Sequence, residues 1–73
     1  MVLSELQKGQ TAKIEAFNDL KLSLKFLEIG IVPGATVSIY SFAPLGCPIA
    51  IEIDGTKISM RKQEAKTIAI QLI

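Results

Sequence analysis

Histidine and tryptophan are absent from the 73 residues, and cysteine occurs once. Without histidine there is no imidazole base, no Ser–His pair and no histidine metal ligand. A single thiol excludes an intrachain disulfide and any site built from several thiolates, such as structural zinc or an iron–sulfur cluster. A surplus of one charge sign is also missing: eight Lys and Arg stand against seven Asp and Glu, a formal +1. That balance argues against a broadly basic nucleic-acid binder but leaves room for a local patch. Nor is there an apolar run of the roughly 18 residues that a spanning helix needs, because Lys21, Lys25 and Glu28 interrupt the richest stretch. Met1–Glu5 lacks a basic segment leading into an apolar one, so no secretory signal is read there. Together with the lone cysteine, this leads to an expected cytoplasmic location, with membrane contact only through another protein.

What the chain has in excess is apolar side chain, 49% of its residues. A chain of this length is expected to form one domain, burying only roughly 60% of the surface that its unfolded form exposes. The surplus must serve a small core, or a core together with a surface for a partner.

The apolar pattern is cut into short segments by Gly9, by Gly30 to Gly34, by Pro44 to Pro48 and by Asp54-Gly55. Thr11 to Phe17 alternates, with Ala12, Ile14 and Ala16 predicted inward and Lys13 and Glu15 outward, the mark of a half-buried strand. Asn18-Asp19 offers an N-cap, and Leu20 to Ile29 reads as a helix of about three turns. Gly30 stands where a left-handed C′ residue belongs, and Pro33-Gly34 suits a type II turn. Ala35 to Phe42 is a second strand, with Val37 and Ile39 on one face and Tyr40 and Phe42 on the other. Ile49, Ile51 and Ile53 form the inward face of a third, and Asp54-Gly55 signals a type I′ hairpin into a fourth, Thr56 to Met60. Arg61 to Lys66 is expected to form a turn of 3₁₀ helix, and Thr67 to Ile73 a fifth strand with Ile68, Ile70 and Leu72 inward. Met1 to Gln10 is a leader with at most one helical turn around Leu3 and Leu6. Five short strands and one helix after the first point to a mainly β fold, a small SH3-like antiparallel barrel, with an OB-fold as its competitor.

Three segments also carry a family resemblance. Leu24-Lys25-Phe26-Leu27-Glu28-Ile29-Gly30-Ile31-Val32-Pro33-Gly34 resembles the helix-to-turn signature of the FeoA family, accessory proteins of bacterial ferrous iron uptake. Ala43-Pro44-Leu45-Gly46-Cys47-Pro48 is similar to that family's Ala-Pro-Leu-Gly-Asp-Pro, with Cys47 in place of Asp. Ile58-Ser59-Met60-Arg61-Lys62-Gln63-Glu64-Ala65 is similar to its Leu-x-Leu-Arg-x-x-Glu-Ala. Lys25 stands where the family typically carries Arg. The resemblance implies an SH3-like barrel that acts as a non-enzymatic partner of FeoB, the membrane permease with a GTPase domain, through protein–protein contact.

The candidate sites are therefore contact surfaces. On the predicted helix, Leu20, Leu24 and Leu27 fall on one line, and Leu22, Phe26 and Ile29 fall nearly opposite. Either the barrel wraps both, or one stripe stays exposed for a partner or a second copy of the chain; the exposed stripe is expected to be the one centred on Phe26, beside Lys25. In the loop, Pro44, Leu45, Gly46 and Cys47 present an apolar tip that either plugs the barrel end or anchors a partner. Gly30, Pro33, Gly34, Asp54 and Gly55 are read as structural turns. No cofactor or metal site is expected, despite the family's association with transition metals: Asp19, Glu52, Asp54 and Glu64 do not cluster in sequence, and Cys47 has no second soft ligand. Lys57, Arg61, Lys62 and Lys66 form a basic group that reads as a solvated face, with an acidic partner or RNA as alternatives. The other functional alternative is a generic SH3-like interaction domain like those of metal-dependent repressors.

Overall fold

The alternation that begins at Thr11 becomes β1 (Thr11–Phe17), the strand around which the rest of the chain is arranged. The computed structural model describes all 73 residues. After β1 come helix α1 (Leu20–Glu28), β2 (Thr36–Phe42), β3 (Ile49–Ile53), β4 (Thr56–Met60), helix α2 (Lys62–Ala65) and β5 (Ile68–Leu72). The five strands form one antiparallel sheet in the order β4-β3-β2-β1-β5. Because α2 joins the two edge strands, it bridges the ends of the curled sheet. This is the expected SH3-like arrangement. The leader forms a 3₁₀ turn at Leu3–Glu5, whose Leu3 is fully buried, as is Leu6 just beyond it.

Both ends of α1 follow from local chemistry. Asp19 accepts a hydrogen bond from the Leu22 amide at 3.0 Å, capping the first turn. At the other end, Gly30 takes φ +96°. The Ile31 amide then reaches back to the Phe26 carbonyl at 2.9 Å and the Gly30 amide to Leu27 at 3.3 Å. That pair of bonds is a Schellman motif, and its usual apolar contact is supplied by Ile31 and Phe26, both buried. The Pro33-Gly34 turn closes with an Ala35-to-Val32 bond of 3.1 Å and is fastened to β1 by Gly34 donating to the Ile14 carbonyl at 2.8 Å. Asp54 and Gly55 both have positive φ, +48° and +81°, as the type I′ hairpin between β3 and β4 requires.

The core holds sixteen buried residues, all apolar, with Phe26 the largest. Ala12 and Ile14, Val37 and Ile39, the three isoleucines of β3, and Ile68 and Ile70 point inward as their alternation indicates. Four expectations need correction. Phe42 does not share the face of Tyr40, because the register between β2 and β3 shifts between Ile39 and Ser41 and turns Phe42 to the side of its partner Ile49. Ala16 is exposed, because the register between β1 and β5 shifts between Ile14 and Ala16, and one extra residue reverses every face beyond it. Leu72 is 45% exposed at the end of β5, past the reach of the core. The segment after β4 is an α-turn and not a 3₁₀ turn. Ala65 and Lys66 donate to the carbonyls four residues back, and the Glu64 carboxylate accepts from the Arg61 amide at 2.9 Å, stabilising the first turn.

Candidate functional surface

Helix α1 faces the opposite way from the expectation. Phe26 is 1% exposed and packs against Phe17, with ring centroids 5.5 Å apart. Leu22 is half-buried against the same core. The stripe left in water is the other one: Leu20 is 84% exposed, Leu24 63% and Leu27 45%. The reason is size and position. The Schellman turn places Ile31 beneath the Phe26 side of the helix, and Phe17 at the end of β1 supplies a matching aromatic surface. A Leu stripe has no such partner. Ile29, the third member of the expected contact stripe, is the C-cap residue and retains 44% exposure.

Lys25 is not a free cation. Its ammonium pairs with the carboxylate of Glu64 on α2, the single ion pair of the molecule. Glu64 thereby holds two donors, the Lys25 ammonium on one oxygen and the Arg61 amide on the other. These interactions, that with Lys25 foremost, depress its pKa below the ordinary 4.5.

The loop of residues 43–48 is fastened to the same place. Gly46 donates to the Ala43 carbonyl at 2.8 Å, closing a turn over Pro44 and Leu45, and Ala43 donates to the Pro48 carbonyl at 3.1 Å. Cys47 accepts the Lys62 amide on its sulfur at 3.3 Å, tying the loop to the start of α2. Leu45 is 96% exposed, so it does not fold back over the barrel end. The three sequence blocks that carried the resemblance thus converge: Lys25 from the first, Cys47 from the second, and Lys62 and Glu64 from the third. In sequence Glu64 is one of four candidate ligand carboxylates with no clustering. Its place three residues after Arg61, at the start of a short helix, was the available signal for its capping role.

Elsewhere, Tyr40 lies on the outer face of β2 with 50% exposure, and the Lys57 ammonium sits 4.1 Å above its ring, while Phe42, paired with Ile49, lies on the inner face at the end of the strand with 41% exposure. Lys57 therefore belongs to the outer sheet face, while Arg61, Lys62 and Lys66 belong to α2 and its cap. The surface has no pocket. No group of three or more His, Cys, Asp or Glu side chains converges, and no helix is long and apolar enough to cross a membrane. What the geometry offers chemically is apolar contact, above all along the α1 leucines and at the Leu45 tip.

Comparison with known proteins agrees with this architecture. The family model described as the FeoA domain matches residues 1–72. A fusion of Fe(2+) transport protein A with the Fe(2+) transporter FeoB, from Porphyromonas gingivalis, is 35% identical over the whole chain, which spans 9% of that relative. The solution structure of iron(II) transport protein A from Clostridium thermocellum superposes over the whole chain and 46% of its own, with a TM-score of 0.92 and 36% identity. The Stenotrophomonas maltophilia FeoA complexed with zinc, described as an SH3 domain protein, gives a TM-score of 0.84 and 29% identity over 97% of this chain and 89% of its own. A manganese-dependent transcriptional repressor also superposes, at a TM-score of 0.89 over the whole chain and 36% of its own, but its 18% identity shows a shared fold alone. With a family match from end to end and the three signature blocks assembled at one place in the fold, this chain belongs to the FeoA family.

Proposed function

We propose that this chain is an accessory domain of ferrous iron transport that acts by contact with a FeoB-type GTPase-permease. The observation that carries the reading is the fusion in Porphyromonas gingivalis, where a homologous domain is joined to FeoB in one polypeptide. Domains fused in one organism are held at high effective concentration, an arrangement that suits partners which otherwise meet by diffusion. The chain works at the cytoplasmic face of the membrane, held there by its partner. It performs no catalysis and regulates or assembles the permease.

The surface we assign to the permease is the loop tip of Pro44, Leu45, Gly46 and Cys47. Its turn is closed by its own backbone bonds and pinned to α2, so it loses little conformational entropy on docking. Burying the exposed Leu45 side chain supplies about 2 kcal/mol, roughly a thirtyfold gain in affinity. Pull-down of a detergent-solubilised FeoB by this chain, with Leu45→Ser beside it, tests the assignment. The variant should keep the wild-type melting temperature and lose capture. Capture undiminished by Leu45→Ser would move the contact elsewhere. GTP turnover and iron uptake measured with and without the chain test the accessory role itself, and no change in either would refute it.

A further inference from the structure

The exposed face of α1 has a charge pattern that identifies its occupant. Leu20, Leu24 and Leu27 form the stripe, and Lys25 is withdrawn from it by its ion pair with Glu64. That leaves Lys21 and Glu28 as the helix's unpaired charges, both exposed. They are seven residues apart, nearly two turns, and so lie on the same flank of the stripe about 10 Å from each other. Each also sits at the wrong end of its own helix. Lys21 is in the first turn, where the helix dipole favours an anion, and Glu28 is the last residue, where it favours a cation. Within one molecule this placement is unfavourable for both side chains, and neither has an ion-pair partner of its own, although Asp19 and Lys25 place favourable charges at the two ends.

We infer that the leucine stripe of α1 is a self-association surface on which two copies of the chain pack their α1 helices antiparallel about a twofold axis beside Leu24. In that arrangement like flanks meet. Lys21 of each copy then faces Glu28 of the other, Leu20 faces Leu27, and Leu24 faces its own counterpart. Two ion pairs form per dimer, each relieving a misplaced charge. A parallel pairing would bring the charged flank against the opposite one, where Ser23 bonds its own helix through the Leu20 carbonyl and no charge waits. The pattern therefore selects the antiparallel geometry. Nine helical residues span only about 13 Å, too little for the roughly 1,000 Å² of a stable interface, so the association is weak and reversible. It leaves the Leu45 loop free and does not depend on the permease reading.

Sedimentation equilibrium at low salt, up to about 1 mM protein, decides the matter, because an interface of this size associates only at high concentration. Wild type should dimerise, and Leu24→Asp should stay folded by circular dichroism and monomeric. Lys21→Glu and Glu28→Lys each turn two attractive pairs into two repulsive ones and should weaken dimerisation about tenfold. An equimolar mixture of those two variants should restore it, since each cross-pair then joins a Glu to a Lys. A wild type that is monomeric throughout, an association untouched by Leu24→Asp, or a mixture that fails to recover would each overturn the inference. So would loss of FeoB capture in Leu24→Asp without any wild-type self-association, which would give the stripe to the permease.

Discussion

The two faces of α1 carry almost the same apolar content and have opposite fates. Leu22, Phe26 and Ile29 lie on one side, with Phe26 sealed into the core; Leu20, Leu24 and Leu27 lie on the other, in water. Neither hydropathy nor periodicity distinguishes them. What separates them is the surroundings: Phe17 from the end of β1, and Ile31 folded under the helix by the Gly30 turn. A face is buried when the chain supplies something to bury it against. The remaining face is then available for another molecule.

Substitutions on the two faces should differ sharply in effect. Phe26→Ala removes the largest buried side chain and should cost about 4 kcal/mol, most of the stability of a domain this small. Urea denaturation will show it as a collapse of the transition midpoint. A loss below about 1 kcal/mol would mean that Phe26 is not the anchor the packing indicates. A smaller effect is expected where α1 is tied to α2. The Glu64 pKa is lower in the folded chain than its ordinary 4.5, so the pair's contribution is fully present above that pH and lost as pH falls through the folded value. Glu64→Gln should therefore cost no more than about 1 kcal/mol at neutral pH, because Lys25 is more than half exposed. It should also flatten the loss of stability below pH 4.5 seen in thermal melts of the wild type. An unchanged acid profile would show that the pair contributes nothing to folding. Smallest of all, Leu24→Asp should shift stability by less than about 0.5 kcal/mol, the range of surface substitutions, whatever it does to association.

The same contrast separates the loop from the helix. The signature block of residues 43–48 carries no charged side chain, and its hydrogen bonds hold the Leu45 tip away from the barrel. Cys47, in place of the family's Asp, accepts from the start of α2 through its sulfur. Lys25, in place of Arg, pairs with Glu64. Both positions thus contact the third block, and the three blocks are joined.

Local chemistry determined most of the architecture. Alternation placed all five strands to within a residue or two, Asp19 and Gly30 bounded the helix, and Asp54-Gly55 and Pro33-Gly34 set the turns; each of these is a matter of neighbouring residues and φ angles. The three family blocks were equally legible because each is continuous in sequence. Decisions that needed residues far apart were not. The bulge that exposes Ala16 depends on where β5 pairs with β1, the partnership of Lys25 with Glu64 spans 39 positions, and the buried side of α1 depends on Phe17 and Ile31. An amphipathic pattern records that a helix has apolar faces, but only packing in three dimensions chooses among them, because burial is a property of what lies opposite.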